Sequence, residues 1–242
     1  MITLLELHYN IQKGLFFSDK IVTETYTIYH CTDQKSAYCN YAIISDLTSA
    51  KKSLGAISED FAKLERQPCI YINATQINDL NELQEQKIQV RYTESWLRYD
   101  GVEIEEVHPV KIVDADNIED YMEVYSKPEN NFAFKVTPEY LKGVRKCLAS
   151  PNFYSFIAYD GRRPVSTVSL GVYNGYCMIY GLVTNKEDRG RGYTQSVLSA
   201  CIKKFKEING KEIYVLQPSN SYLEKWYVQH GFKKILTGYG MY

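Results

Sequence analysis

Hydrophobic and polar positions in the second half of the chain follow two periods, one typical of strands and one typical of helices. Apolar runs and strict alternation predict strands, whereas apolar residues three or four apart predict helices. The pattern predicts strands over residues 110–113, 154–160, 165–172, 176–184, 211–216 and 232–236. It predicts helices over residues 116–125, 138–148 and 222–229, and a further helix directly after Gly192. Asp114 or Asp116 is expected to cap the first of these helices.

The first half of the chain has a shorter set of elements. Apolar runs predict strands over residues 41–45, 69–73 and 88–98. The predicted helices between them cover residues 54–64 and 77–84. A turn at residues 99–101 closes this half, and the pattern begins again after residue 106. We therefore predict an α/β (α+β) fold with a mixed central sheet flanked by helices, in two domains over residues 1–105 and 106–242.

The two halves also resemble each other in sequence. Residues 70–72 (Ile-Tyr-Ile) match residues 213–215 (Ile-Tyr-Val) at an offset of 143 (213 − 70), and Phe61 matches Phe205 at an offset of 144 (205 − 61). A tandem repeat of one fold explains this likeness, as does the general similarity of any two α/β segments. We favour the repeat.

Charge and composition narrow the classes of function. The chain of 242 residues has a formal net charge of -1, which gives no indication of nucleic acid or anionic membrane as a partner. No apolar run reaches the roughly 18 residues of a membrane-spanning helix. The first residues lack the basic start and apolar stretch of a secretory signal. We therefore expect a cytoplasmic protein.

The cysteines do not form a metal-binding pattern. None of the six is part of a CxxC pair, and the four histidines are scattered along the chain. Zinc sites require clustered cysteine and histidine ligands at short spacings. We therefore expect no metal cofactor and six reduced, structural thiols.

The turn at residues 185–192 is the most informative segment for chemistry. It joins a predicted strand to an amphipathic helix and carries two glycines and two arginines, Arg189, Gly190, Arg191 and Gly192. The first N–H groups of a helix have no internal partner and attract anions, and glycines let the backbone approach a phosphate closely. The turn lacks the lysine of a Walker loop and the third glycine of a dinucleotide fingerprint. As a bare string, RGRG is also a common surface turn.

The wider context of this turn carries a family resemblance. Residues 189–194 resemble the [QR]-x-x-G-x-[GA] acetyl-CoA loop of the GCN5-related N-acetyltransferases, with Thr194 in place of the usual final Gly or Ala. Downstream, the segment resembles the family's N…Y-x-x-x-G-F signature, in which Asn220, Tyr227, Gly231 and Phe232 are present. The resemblance covers residues 108–242 and implies the acyl-CoA N-acyltransferase fold. It also implies acetyl-CoA as co-substrate and an amine acceptor, either a small molecule, an amino acid or a peptide.

The resemblance also assigns candidate site residues. The loop that it implies for the coenzyme A pyrophosphate comprises Arg189, Gly190, Arg191, Gly192, Tyr193 and Thr194. The strand edge at Leu182 and Val183 would pair with the pantetheine arm, and Asn220 would contact the cofactor. Tyr227 would protonate the leaving thiolate, although its position also suits an aromatic residue of the core.

The general base is not identified by the sequence. The predicted strand over residues 176–184 holds no carboxylate. Upstream carboxylates and bound water are both open choices; the carboxylates are Glu103, Glu105, Glu106, Glu119 and Glu123. Glu187 and Asp188 lie in the loop, where we expect them to be solvated.

The first half, if it is a repeat, is a degenerate copy. Ser45 and Thr48 fall where Arg189 and Gly192 stand, and Gln84 falls at the position of Tyr227. Such a copy would lack both the anion-binding glycine turn and the proton-donating tyrosine. It would instead cover the active-site cleft and shape the acceptor site. An unrelated α/β cap is the alternative.

Three functions remain open at this point. The first is an N-acyltransferase that acts on an amine. The second is a non-catalytic acyl-CoA sensor with the same fold. The third is aminoacyl transfer from charged tRNA, which the absence of a basic surplus disfavours. The sequence does not specify the oligomeric state.

Overall fold

The computed structural model describes residues 3–33, 35, 37–44, 50–73, 89–130 and 136–241. The chain forms two compact units, neither of them contiguous in sequence. Unit 1 comprises Met1–Gln12, Leu97–Leu216 and Tyr222–Lys234. Unit 2 comprises Lys13–Trp96, Gln217–Ser221 and Ile235–Tyr242. The predicted domain boundary between residues 105 and 106 stays a prediction.

The described residues contain eleven strands and six α-helices. The strands are β1 (Asp19–Val22), β2 (Tyr26–His30), β3 (Tyr41–Ile44), β4 (Ile70–Asn73), β5 (Val90–Tyr99), β6 (Val110–Ile112), β7 (Phe153–Asp160), β8 (Arg163–Tyr173), β9 (Tyr176–Thr184), β10 (Glu212–Pro218) and β11 (Phe232–Met241). The helices are α1 (Leu4–Gln12), α2 (Ala50–Lys63), α3 (Ile118–Ser126), α4 (Pro138–Leu148), α5 (Tyr193–Glu207) and α6 (Ser221–Gln229).

Unit 1 is built on a mixed sheet. Strands β6, β7, β8 and β9 are antiparallel neighbours, and β10 pairs with β9 in parallel. A parallel neighbour requires a crossover, which α5 provides between β9 and β10. Val168 and Leu170 of β8 share an apolar core with Val197 and Cys201 of α5. Successive side chains of a strand point to opposite faces, so the alternate positions of β8 face away from α5.

That opposite face of the unit 1 sheet carries helices α1 and α3. The Tyr121 hydroxyl of α3 forms a hydrogen bond with Ser169 Oγ of β8 at 2.9 Å. A Cβ added to Gly171 of β8 would lie 2.5 Å from a methyl carbon of Ile11 in α1. The sheet of unit 1 is therefore covered on both faces.

Unit 2 is also built on a mixed sheet. Strands β1, β2 and β3 are antiparallel neighbours, and β4 follows α2 and pairs with β3 in parallel. The last part of β11 extends the sheet by pairing antiparallel with β4, from Gly238↔Asn73 to Met241↔Ile70. Met241 is fully buried in the core that α2 shares with this sheet.

Each unit therefore contains the same order of elements. Three antiparallel strands lead into a helix, and the next strand is parallel to the third, as β1-β2-β3-α2-β4 in unit 2 and β7-β8-β9-α5-β10 in unit 1. This order supports the repeat favoured from the sequence. The predicted helix over residues 77–84, and Ser45, Thr48 and Gln84 with it, lie outside the described residues.

Most predicted elements are confirmed, and two details are wrong. The strand predicted over residues 232–236 is longer and extends to Met241. Asn117, rather than Asp114 or Asp116, occupies the cap position of α3, and its side chain bonds upstream to the carbonyl of Ile112 at 3.0 Å. The sequence analysis also missed α1, β1 and β2.

Three expectations from the composition concern the thiols, metal binding and membrane spans. All six cysteines are free thiols. Within the described residues, no group of three or more His, Cys, Asp or Glu side chains is arranged to hold a metal ion. None of the helices found in the described part of the chain is both long and apolar enough to cross a membrane.

A buried carboxyl group lies in unit 2. Glu94 of β5 is 8% exposed, and its side chain forms a hydrogen bond with the Tyr71 hydroxyl. The same hydroxyl accepts a hydrogen bond of 2.9 Å from Trp96 Nε1. Burial raises the pKa of Glu94 to about 8, so the carboxyl is protonated in the folded protein at neutral pH.

Glu94 makes the stability of the protein depend on pH. Unfolding at a pH between 4.5 and about 8 releases its proton, so the free energy of unfolding falls as pH rises through this range. The expected total loss is about 3–5 kcal/mol, because a tenfold change in proton affinity corresponds to about 1.4 kcal/mol. Glu94→Gln removes this loss and is expected to be more stable than the wild type at pH 9 and similar at pH 5. Urea unfolding at both pH values measures it.

Glu59 supplies the matched control for this experiment. It is an exposed carboxylate on α2 of the same unit. Glu59→Gln is expected to leave the pH dependence unchanged. Equal pH dependence in Glu94→Gln and the wild type would contradict the assignment of a buried, protonated Glu94.

Candidate functional site

The two central strands of unit 1 are paired over only part of their length. The parallel pairing of β9 with β10 runs from Tyr176↔Glu212 to Ile179↔Val215. Beyond these residues β9 continues to Thr184. The edge of β9 that contains Leu182 and Val183 therefore lies beyond the last pair of this ladder. An extended ligand can pair with an edge of this kind through main-chain hydrogen bonds.

A bulge in β9 lies where this pairing ends. The register between β8 and β9 shifts between Thr167 and Ser169, and Gly181 has a left-handed φ of 58°. The Thr167 hydroxyl donates to the carbonyl of Gly181 at 3.1 Å. A Cβ at Gly181 would lie 2.6 Å from the hydroxyl oxygen of Tyr121, which is buried and hydrogen-bonded to Ser169. The position therefore requires glycine for both conformation and space.

Gly181→Ala is expected to destabilise the protein by about 2–4 kcal/mol, since the left-handed conformation and overpacking each cost on the order of 1–2 kcal/mol or more. Urea unfolding measures the loss. Tyr121→Phe removes the clashing oxygen. The double variant should therefore lose less stability than the sum of the losses in the two single variants.

Gly161 provides the control for the backbone term alone. It has a φ of 63° in the turn between β7 and β8, and an added Cβ would meet no atom within 4 Å. Gly161→Ala should therefore cost only about 1–2 kcal/mol. A loss at Gly181 no larger than that at Gly161 would exclude the steric contribution.

The glycine turn leads directly into the start of α5. Gly190 and Gly192 have left-handed φ values of 77° and 88°, and α5 begins at Tyr193. Gly192 stands at the cap position without a side-chain cap bond, and the first helical bond runs from Ser196 N–H to the Gly192 carbonyl at 3.0 Å. The N–H groups of residues 193–195 precede that bond and point out of the helix start. A Cβ added to Gly190 would meet no atom within 4 Å, which leaves this side of the turn open.

The two arginines of the turn are held by groups of the protein. Arg191 donates to the carboxylates of Asp188 at 2.9 Å and Asp160 at 3.2 Å. Arg189 donates to the carbonyls of Thr184 at 3.4 Å and Glu129 at 3.3 Å. Their predicted role in binding the pyrophosphate stays a prediction.

Asp188 is buried, which corrects the expectation that it is solvated. Its side chain is 1% exposed and accepts two hydrogen bonds from Arg163, at 2.7 and 2.8 Å, as well as the bond from Arg191. The Arg163 guanidinium, followed by the charge of Arg191, lowers the pKa of Asp188. The carboxylate is therefore ionised at neutral pH, and it holds the turn in place through its hydrogen bond with Arg191.

Thr194 does not direct its hydroxyl into the turn. Its Oγ1 lies 2.6 Å from Oγ1 of Thr184, the last residue of β9. Thr184 Oγ1 in turn lies 2.7 Å from the hydroxyl of Ser166 on β8. The departure from Gly or Ala at this position is therefore accommodated by bonds to the end of the preceding strand.

His108 contacts the glycine turn and the start of α5, and it was not predicted from the sequence. Its Nε2 lies 2.7 Å from the carbonyl of Arg191, and its ring stacks on Tyr193 with centroids 4.0 Å apart. The backbone N–H of His108 donates to the Ser196 hydroxyl at 2.9 Å. A single histidine 83 residues upstream of the turn carried no motif that would have marked it.

Tyr227 lies in the aromatic core of unit 1. It is 6% exposed and packs edge-on against Trp226 and Phe232, with centroids 5.2 Å from each. Burial, and then the nearby Cys201 thiol, raises its pKa, so the phenol keeps its proton at neutral pH. A protonated phenol can act as an acid, and its catalytic role stays a prediction. Asn220 belongs to unit 2, and its cofactor contact is likewise a prediction.

Three of the carboxylates considered as general bases form ion pairs at the surface. Glu119 accepts two hydrogen bonds from Arg145, at 2.5 and 2.7 Å. Glu123 lies 3.6 Å from Lys127, and Glu106 lies 2.6 Å from Lys203. All three therefore face a basic partner at the surface of unit 1.

A family profile identifies the domain that contains the glycine turn. The profile of the Acetyltransferase (GNAT) family matches residues 116–232, which include β7 to β10, the glycine turn and Tyr227. Residues 116–232 are a GNAT acetyltransferase domain. The enzyme class is therefore acyltransferase, as the sequence predicts. No curated protein sequence matches the chain.

Solved structures show that the fold similarity extends beyond the GNAT domain. A conserved protein of unknown function from Staphylococcus epidermidis superposes with a TM-score of 0.70 at 15% identity, over 92% of each chain. A GCN5-related N-acetyltransferase from Kribbella flavida gives 0.66 at 13% identity, over 92% of this chain and 88% of that one. A tandem GNAT protein of the clavulanic acid biosynthesis pathway gives 0.64 at 9% identity, over 90% and 78%. These identities establish the fold alone.

Proposed function

We propose that the GNAT domain binds acetyl-CoA and transfers the acetyl group directly to an amine of a small molecule, an amino acid or a peptide. The observation that carries this proposal is the combination of the glycine turn at the start of α5 with the edge of β9 beyond its pairing with β10. A diphosphate at the helix start and an extended arm along the strand edge would occupy the two features together.

The residues present fit a coenzyme A group. Gly190 and Gly192 leave two positions of the turn without a side chain, and the open space at Gly190 lets a phosphate approach the backbone. Backbone N–H groups of residues 190–194 would hold the pyrophosphate, and Leu182 and Val183 would pair with the arm. Arg189 and Arg191 would add positive charge beside the phosphates, while their bonds to Thr184 and Asp188 hold them in place.

The bound cofactor would supply an activated acyl thioester. The amine must lose a proton to attack, because an alkylammonium with a pKa near 10 is mostly protonated at pH 7. Tyr227 would donate its phenolic proton to the leaving thiolate, and Asn220 would contact the cofactor. General acid help of this kind contributes about 10²–10⁴-fold to rate.

Residues 1–105 are proposed to be a second, non-catalytic domain. Its element order repeats that of the GNAT domain, as a tandem arrangement requires. A non-catalytic acyl-CoA sensor with the same fold is the competing function. The burial of Tyr227 among aromatic rings is the observation that favours it.

Calorimetric titration with acetyl-CoA, desulfo-CoA and adenosine diphosphate tests the proposal. Acetyl-CoA is expected to bind with micromolar affinity, and the Arg189→Ala/Arg191→Ala double variant should bind it more weakly. Release of free thiol from acetyl-CoA in the presence of amines then separates an enzyme from a sensor. Absence of binding at millimolar acetyl-CoA would refute the proposed function.

A further inference from the structure

Tyr180 lies at the point where β9 leaves its ladder with β10. It is the residue directly after Ile179, the last residue paired with β10, and directly before Gly181 of the bulge. An extended arm that continues the pairing from Leu182 and Val183 would bring its reactive end towards this position. The strand carries no carboxylate, so the polar side chain that β9 offers here is the Tyr180 phenol.

The Tyr180 side chain points to the face of the sheet opposite α5. Cys177 and Ile179 belong to the core shared with α5, so the alternate residue Tyr180 points to the other face. Its ring packs against Phe153, with centroids 5.6 Å apart. Tyr227 belongs to the core on the α5 face. The two tyrosines therefore lie on opposite faces of the sheet, which suits separate roles for the incoming amine and the leaving thiolate.

Helix α1 brings a histidine to this phenol. His8 Nδ1 lies 3.2 Å from Tyr180 Oη, although the two residues are 172 positions apart in the chain. Both residues are half-buried rather than fully enclosed. Either atom can be the donor, and in one of the two arrangements Tyr180 donates its hydroxyl proton to the imidazole.

Both groups are uncharged at neutral pH. Burial lowers the pKa of His8 to about 4, and burial together with the Cys147 thiol of α4 raises the pKa of Tyr180. The Tyr180 hydroxyl can also donate to Met178 Sδ at 3.4 Å, a weaker acceptor than the imidazole nitrogen. A neutral imidazole keeps a lone pair that can receive a proton through the phenol.

We propose that Tyr180 and His8 form the proton-accepting pair for the acceptor amine, in place of a carboxylate base. The inference rests on the proposed function. The amine N–H bond breaks and its proton passes to Tyr180 Oη, while the Tyr180 O–H bond breaks and that proton passes to His8 Nδ1. The lone pair of the neutral amine forms the C–N bond to the acyl carbon, the C–S bond of the thioester breaks, and the thiolate takes the proton that Tyr227 would donate. On the amine side, one proton moves to the imidazole from the nitrogen, which becomes acidic as the C–N bond forms. Tyr180 touches the amine, and His8 acts through Tyr180.

This pair also selects the class of acceptor. An uncharged phenol and imidazole do not attract an ammonium group as a carboxylate does, so the site favours amines that are readily neutral. An α-amino group has a pKa of about 8, against about 10 for an alkylamine such as a lysine side chain. We therefore expect α-amines of amino acids or peptides to be better acceptors than alkylamines.

Steady-state kinetics with two probe amines test the pair. Free thiol released from acetyl-CoA is measured with glycinamide as the α-amine and n-butylamine as the alkylamine. We expect higher kcat/KM for glycinamide, and a fall of about 100-fold in Tyr180→Phe and in His8→Gln. The double variant should lose no more than the single ones, because the two groups act as a unit. In the variants kcat/KM should keep rising to pH 10, because hydroxide then accepts the proton of the amine in place of the missing pair.

Two further measurements separate this role from a structural one. Acetyl-CoA affinity by calorimetry should stay within twofold in each variant, and Tyr159→Phe, which removes a phenol bonded to Asp120 at 2.7 Å, should leave kcat/KM unchanged. Glycinamide binding to the desulfo-CoA complex, followed by nuclear magnetic resonance, should weaken in Tyr180→Phe without any turnover.

The outcomes discriminate between the inference and the function on which it rests. Wild-type kinetics and pH profiles in folded Tyr180→Phe and His8→Gln would overturn the pair alone. Acetyl-CoA binding without transfer to either amine would overturn the pair and leave cofactor binding intact. Absence of acetyl-CoA binding by the wild type would refute the proposed function, and the inference with it.

Discussion

Gly190→Glu is expected to reduce the affinity for acetyl-CoA at least about 100-fold, because losing two hydrogen bonds to a charged phosphate costs roughly 3 kcal/mol or more. An added Cβ at Gly190 meets no atom of the protein within 4 Å, so the new side chain would stand in the space proposed for the pyrophosphate. Its negative charge would also repel the phosphates at the start of α5. Calorimetric titration with acetyl-CoA measures the loss.

Gly101→Glu is the matched control for this change. Gly101 also has a left-handed φ, 92°, and an added Cβ there meets no atom within 4 Å, but it lies in the turn after β5. Both variants should lose similar stability, about 1–2 kcal/mol from the backbone conformation, and only Gly190→Glu should lose cofactor affinity. Equal affinities in the two variants would place the phosphates elsewhere.

Tyr227→Phe is expected to lower kcat about 10²–10⁴-fold while acetyl-CoA affinity changes little, because only the proton donor is removed. The aromatic packing against Trp226 and Phe232 is kept, so the variant should stay folded. The lost stability is expected to be within about 1 kcal/mol, the usual net value of one hydrogen bond. Thiol release from saturating acetyl-CoA and amine gives kcat.

Tyr222→Phe controls for loss of a phenol on the same helix. Tyr222 is 73% exposed at the start of α6, so its variant should keep the wild-type kcat. Unchanged turnover in Tyr227→Phe would assign Tyr227 to the core alone. Binding of acetyl-CoA by the wild type without any thiol release would instead support the sensor.

The sequence predicts the GNAT domain well because its patterns are local. Strand β9 and helix α4 have the predicted bounds, since the mostly apolar run over residues 176–184 and the pattern over residues 138–148 are local signals. The glycine turn was recognisable for the same reason, since Gly190 and Gly192 have the left-handed conformations that make glycine necessary there.

The first part of the chain was harder to predict because long-range packing determines its structure. Strands β1 and β2 have only four and five residues; β1 begins with two charged residues, Asp19 and Lys20, and Thr27 interrupts β2. Helix α1 belongs to unit 1 although its sequence precedes unit 2, and no local signal indicates this. The extension of β11 to Met241 depends on its partner β4, whose sequence is remote.

The site shows the same limit. Residues of the turn were found from their spacing, but the groups that hold the turn come from elsewhere in the chain. Asp188 was expected to be solvated, and it is buried because Arg163, 25 residues upstream, provides the opposite charge. His108 and His8 are single histidines whose partners, the Arg191 carbonyl and Tyr180, are determined only by the fold.

The pairing of β4 with the end of β11 has a consequence for biosynthesis. A ribosome makes most of unit 2 first, but the strand that extends its sheet and the Met241 side chain of its core emerge after the whole GNAT domain. Domains usually fold in the order in which they leave the ribosome. Here the pairing of β4 with β11 and the core of unit 2 can be completed only after residue 241 has been translated.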